Sequence, residues 1–215
     1  MDLNHEQTSD MYLSEYGKFF GMLERKLFVQ THLKGLPSAS LKKTFLTQYG
    51  ITARQFNSVR IQLDGKVSSY IEKRKIDIQE LESKIVYLQK MIEKKTAQKE
   101  QLHQKLLQLP PSQPSFLKLA KKYKNLKTYL FQKKRRLRNL TQKLEKLKSD
   151  ATQQKIRICF GSKKLFHKQF HLEENKYKTH RDWKKDWEEA RSSQFFVVGS
   201  KDETFGNQNA TYDLK

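Results

Sequence analysis

The sequence predicts a mainly α-helical protein: a helical N-terminal region, a long antiparallel coiled-coil hairpin and a small, incomplete α+β unit. Three observations carry this reading. Two long heptad stripes flank a single proline-rich break. An apolar content of 36% with a mean hydropathy of −0.88 is lean for one compact globule and suits helices that bury only a stripe. After Ala151 the pattern changes from helical spacing to alternation.

The first helix is expected from about Ser9 to Leu33. Tyr12, Tyr16, Phe19, Phe20, Leu23 and Leu27 recur at spacings of three and four and share one face. Gly17 and Gly21 weaken it and permit close packing. Gly35-Leu36-Pro37 ends it. A short helix follows from about Ser40 to Tyr49, stopped by Gly50. Thr52 and Gln55 have capping-box spacing and open the next helix. Its first stripe is Phe56, Val59, Leu63, Val67 and Tyr70, with Asp64-Gly65 as a candidate break. A heptad then takes over through Ile78, Leu81, Ile85, Leu88, Ile92, Leu102, Leu106 and Leu109, with Lys95 and Lys99 at inner positions.

Residues 110–114 contain three prolines and break that helix. A second heptad runs through Leu119, Tyr123, Leu126, Leu130, Leu137, Leu140, Leu144 and Leu147, with Lys133 in its one gap. Two matched arms, each roughly 32 residues and about 48 Å long, favour folding back as a hairpin. The alternative is pairing of each arm with another chain. The organisation read from this is a helical region over 1–72, a basic hairpin over 73–150 turning at 110–114, and an α+β unit over 155–215. In the last unit, Ile156, Ile158 and Phe160 alternate as a strand does. Thr179 and Asp182 repeat the capping-box spacing ahead of a helix bearing Trp183, Trp187 and Ala190, with the two tryptophans assigned to packing. Phe195 to Val198 read as a second strand, followed by a polar loop over 199–208 and the start of another strand.

The formal net charge is +21, from 44 Lys and Arg against 23 Asp and Glu. It is concentrated: Lys118 to Lys148 hold 13 bases and one acid, Glu145. A charge of this density repels itself unless a polyanion shares the space, and nucleic acid is the first candidate. No apolar run is long enough to span a membrane. A single cysteine, Cys159, excludes a disulfide framework and fits a cytoplasmic setting.

The candidate phosphate contacts are Lys118, Lys121, Lys122, Lys124, Lys127, Lys133, Lys134, Arg135, Arg136 and Arg138, with Lys163 and Lys164 as a secondary group. A merely solvated coiled-coil face predicts interspersed acids, which this arm lacks. Tyr129 and Phe131 lie off the heptad stripe and are candidates for stacking on unpaired bases. His167, His171 and Glu174 have a spacing that a helix could use for a metal, but the helical pattern there is weak and a surface or packing role is preferred. Asp182, Asp186, Glu188 and Glu189 read as a cap and as partners for lysines, not as a two-metal set. Gly199-Ser200-Lys201 lacks the spacing of a phosphate-binding loop for nucleotide hydrolysis. No catalytic, cofactor or metal residue is therefore expected.

Phe160-Gly161-Ser162-Lys163-Lys164-Leu165-Phe166, then Trp183, Trp187 and Arg191, then residues 199–204 and Gly206-Asn207-Gln208, resemble the stretch preceding the nuclease domain of TnpB (OrfB) proteins. These are transposon-encoded, RNA-guided relatives of type V CRISPR effectors, and the basic helical part is similar to their recognition lobe. The resemblance implies a protein of an insertion sequence, tied by kinship to transposition, that binds a guide RNA from the transposon end and engages DNA. Cleavage in the family belongs to a RuvC-like domain with three separated acids, often with a zinc ribbon. A chain of this extent is expected to be a truncated or split member: a non-catalytic recognition part, with any nuclease in a separate chain. A coiled-coil oligomerisation protein and a decayed open reading frame are the competing expectations.

Overall fold

The structure is a computed structural model and describes residues 3–192 and 194–199. It is 79% helix, with no strand among the described residues. The helices are α1 (Leu3–Phe28), α2 (Ser38–Tyr49), α3 (Ala53–Leu107), α4 (Pro114–Thr152), α5 (Lys163–Lys168) and α6 (His180–Ala190). A π turn, Val29–Leu33, continues α1, and a 3-10 turn spans Glu173–Asn175. The described residues divide into two compact units: those up to Tyr70 together with those from Ile156 to Gly199 form one, and Ile71–Lys155 forms the other.

The first unit is built on the stripes of α1 and the start of α3. Phe20, Leu23, Leu27, Phe56, Val59 and Leu63 are buried together with Phe45 of α2 and Trp183 of α6. Such packing supplies most of the stability of these helices, since propensity contributes little beside apolar burial. Gly50 stops α2 in the left-handed region at φ 62°, which a side chain would oppose. Thr52 and Gln55 then make the capping box that opens α3. The Thr52 amide donates to Gln55 Oε1 at 2.8 Å, and the Gln55 amide donates to Thr52 Oγ1 at 3.2 Å. Gly17 marks a close approach: a Cβ there would lie 2.5 Å from the Ser192 carbonyl oxygen.

Three expectations need correction in this unit. Asp64-Gly65 does not break α3, which runs unbroken for 55 residues. Leu63 and Val67, both buried, hold the helix on either side, and one interior glycine costs only about 1 kcal/mol. The segment 156–160 is irregular although its alternation survives: Ile156, Ile158 and Phe160 are half-buried, Arg157 and Cys159 exposed. Its surroundings are helical. Phe160 meets Phe28 edge-on at 5.4 Å, and Lys66 Nζ stands 5.6 Å over its ring. Helices keep their backbone groups to themselves and offer no ladder. Likewise Phe195–Val198 is not a strand. Phe195 packs edge-on to Tyr16 at 4.9 Å, and the Val198 amide donates to Ser58 Oγ at 3.1 Å. The incomplete α+β unit is thus not shown. The polar loop beyond Gly199 and the expected final strand lie outside the described residues.

The helices of the C-terminal segment do form as expected. Thr179 and Asp182 make the second capping box. Trp183 is buried, its Nε1 donates to the Leu165 carbonyl at 2.8 Å, and its ring stacks on Trp187 at 5.9 Å.

The second unit is the helical hairpin. Leu81, Ile85, Leu88 and Ile92 of α3 are buried, as is Leu130 of α4. Cross-helix contacts run antiparallel: His103 stacks on Tyr123 at 5.4 Å, Tyr129 Oη donates to Met91 Sδ at 2.8 Å, and Lys148 pairs with Glu82 at 2.6 Å. Pro114 opens α4 at its first turn, where a missing N–H costs nothing. At the far end the Arg74 guanidinium donates to the carbonyls of Asp150 and Lys155, at 3.1 and 2.9 Å. Those carbonyls lie at and just beyond the end of α4, and the Asp150 oxygen also accepts from the Lys155 amide at 2.8 Å.

Candidate nucleic-acid interface

Helix α4 carries ten of the twelve basic candidates. Its heptad stripe faces α3, so the remaining arc of its surface is available to them. At 3.6 residues per turn they fall into three rows. Lys118, Lys122, Lys133 and Arg136 line one flank together with Tyr129. Lys124, Lys127, Lys134 and Arg138 line the other with Phe131, and Lys121 and Arg135 run along the back. From Lys118 to Arg138 the rows extend about 30 Å at 1.5 Å per residue. Nine of the ten are exposed; Lys133, in the heptad gap, is half-buried.

The electrostatic difference between the two arms is the main feature of the site. On the α3 arm, Lys73, Lys75, Lys84 and Lys99 each have a carboxylate within 4.0 Å, while Lys90, Lys94, Lys95 and Lys105 have none among the described residues. On α4, none of the ten candidates has such a partner among the described residues. Glu145 is the one acid between Lys118 and Lys148. An exposed ion pair has little residual field, whereas a row of unpaired cations keeps its full attraction for an anion. This surface can neutralise several backbone phosphates and release their counterions.

The two aromatic candidates part company. Phe131 is 69% exposed and its ring is free to stack. Tyr129 is half-buried, with its hydroxyl engaged by Met91 and Lys133 Nζ 5.1 Å over its ring. Tyr129, Lys133 and Arg136 form one wall of a groove whose other wall is α3. Tyr87 stands on that other wall, 68% exposed. Sequence reading missed it, because it lies one position before the core residue Leu88 and off the stripe. Its only signal was a large aromatic outside the stripe, among Ser83, Lys84 and Met91.

Lys163 and Lys164 belong to the other unit, where they open α5 and are exposed. Burial pushes the neighbouring Cys159 thiol up from its ordinary value, with the Lys163 charge opposing. Helix α5 ends at Lys168, so His167 and His171 do not share a helix face; His171 Nδ1 lies 3.7 Å from Glu174. Among the described residues no group of three His, Cys, Asp or Glu could hold a metal ion, and no helix is long and apolar enough to cross a membrane. Asp182 caps α6, Asp186 accepts from Tyr177 at 2.7 Å, and Glu188 pairs with Lys184 and Arg191. Comparison of the chain with known protein families, curated proteins and solved structures gives no match.

Proposed function

We propose that the chain is a nucleic-acid-binding module that grips RNA through α4, as the non-catalytic recognition part of an RNA-guided nuclease of the TnpB type. The observation that carries this reading is the row of ten α4 cations without a carboxylate partner among the described residues. Shape and backbone charge would do the recognising, since side chains cannot read the deep, narrow major groove of A-form RNA. Sequence would be read by base pairing of the guide. The resemblance of residues 160–166 and 183–191 to the stretch before the family's nuclease domain supplies the kinship, and with it a guide RNA from a transposon end, a DNA target and a cytoplasmic setting. Lys163 and Lys164 are assigned a secondary phosphate-contacting role. The stripe residues Leu81, Ile85, Leu88, Ile92 and Leu130 are buried, which favours binding over oligomerisation through those stripes.

The test is binding of the purified chain to structured RNA and to duplex DNA over a salt series. Tight RNA binding that falls steeply with salt, with duplex DNA weaker, is expected. Weak binding with a shallow salt slope and no RNA preference overturns the proposal. Sizing without RNA is expected to give a monomer; an elongated dimer would favour the oligomerisation reading.

A further inference from the structure

The groove along one flank of the hairpin has features that a phosphate track does not need. Its volume of about 790 Å³ is spread along about 22 Å of α3, from Ile76 to Met91. One wall is Ile76, Tyr87 and Met91 of α3; the other is Tyr129, Lys133 and Arg136 of α4. Tyr87 is the most exposed aromatic of the set. Its ring has no aromatic, cationic or hydrogen-bonding partner among the described residues, while Tyr129 already has Met91 and Lys133. Met91 lies one turn further along α3 on the same wall. An open aromatic face flanked by a thioether and opposite two cations suits a flat apolar body bearing an anion. Glu80 also lines the groove, but Lys84 pairs with it at 2.9 Å. The cations Lys133 and Arg136 therefore decide the sign of the potential.

We infer that this groove receives an unpaired nucleobase of bound RNA, stacked on Tyr87, with the adjoining phosphates on Lys133 and Arg136. The inference rests on the reading of α4 as an RNA-binding surface and deepens it. A paired base cannot present its face to Tyr87, so the groove selects single-stranded segments over continuous duplex. Aromatic stacking tolerates any base, so no sequence preference arises from Tyr87 itself. Lys133 links the two parts of the site: its ammonium covers Tyr129 and leaves Tyr87 as the open ring.

The experiment compares Tyr87→Ala, Tyr87→Phe and the pair Lys133→Gln/Arg136→Gln in the full chain. The probes are a dye-labelled single-stranded oligoadenylate of about a dozen nucleotides and a fully paired RNA duplex. Tyr87→Ala is expected to weaken single-strand binding about five- to a hundredfold, with duplex affinity and the salt slope unchanged. Tyr87→Phe keeps the ring and is expected to bind as the parent does. Circular dichroism checks that helicity is retained, which an exposed site favours. Equal loss on both probes, or no loss on either, overturns the inference. If the Lys133/Arg136 pair weakens both probes while Tyr87→Ala changes neither, the groove fails and the basic surface stands. If all variants bind as the parent, both readings fail.

Discussion

Replacing Arg135, Arg136 and Arg138 by glutamine removes three cations from α4 and little else. All three are exposed, and none has a carboxylate partner among the described residues. Glutamine and arginine have nearly equal helix propensity, so the hairpin should keep its helicity and its melting temperature. The loss in binding follows from counterion release. Each phosphate neutralised on a single strand contributes about 0.7 to the slope of log affinity against log salt. Three lost contacts lower that slope by about 2. At ~0.1 M salt, one decade below the 1 M reference, the same arithmetic predicts about a hundredfold weaker binding, or about 2.8 kcal/mol. The assay is fluorescence anisotropy with labelled RNA at several salt concentrations. The control neutralises whole ion pairs on α3 away from the groove, Lys73→Gln/Asp77→Asn with Lys75→Gln/Glu72→Gln, whose partners lie 2.9 and 2.7 Å apart. That variant should cost far less, because it leaves the net charge unchanged and removes pairs that contribute little. An α4 triple with the parent's affinity and slope, or a control that costs as much, would refute the assignment of binding to α4.

Three further outcomes concern the unit built on α1 and the start of α3. Gly17→Ala places its Cβ against the Ser192 carbonyl and should destabilise by about 1–3 kcal/mol despite better helix propensity; Gly65→Ala meets nothing within 4 Å and should stabilise by about 0.5–1 kcal/mol, so thermal melts of the two should move in opposite directions. Lys66→Met should cost about 3 kcal/mol in chemical denaturation, since it strands the buried Glu24 carboxylate, whose Oε2 Lys66 meets at 2.7 Å and whose Oε1 has no hydrogen-bond partner among the described residues; adding Glu24→Gln should recover most of the loss. Burial raises the Tyr16 phenol above its ordinary value of 10.0, against a hydrogen bond from Gln55 that lowers it. The folded state therefore holds that proton more tightly than the unfolded one. The resulting stability is present below about pH 10 and is lost as the pH rises through the higher folded value, so Tyr16→Phe should flatten the alkaline decline in a pH series of denaturation midpoints.

The parts of the fold that were legible in the sequence are those decided within a few residues. Thr52 with Gln55, and Thr179 with Asp182, cap helices because the bonds span three positions of chain. Gly50 and Pro114 act through their own backbone dihedrals. The heptads pair because each stripe repeats over many turns and the chain between them is short. What was not legible depends on neighbours distant in sequence. The alternation at Ile156–Phe160 reports burial on one side only, and the sequence does not say whether the neighbour is a sheet or a set of helices. Gly65 reads as a break locally, but Leu63 and Val67 anchor the helix through it. Within the candidate interface, the charge run was plain. The groove was not, since its walls at Tyr87 and Tyr129 meet only through the register of α3 on α4.

On the proposed function, the hairpin would let the cations act as a set. Thirteen bases between Lys118 and Lys148 repel one another, and a free helix of that composition would fray. Packing of the stripe on α3 holds the backbone helical regardless: Leu130 is buried against it, and Lys148 and Arg74 tie the end distal to the turn. The repulsion is therefore retained in the folded state instead of being relieved by unfolding. A bound polyanion removes it without any rearrangement of the helix. Because the rows are fixed along about 30 Å, the ordering that binding would otherwise impose on the backbone has been met by folding. Side-chain flexibility of the lysines remains, which suits a shape-reading surface that must follow phosphates without reading bases. On the proposed reading the more selective contact lies at the groove, where Tyr129 is held by Met91 and Lys133 and Tyr87 stands exposed on the α3 wall.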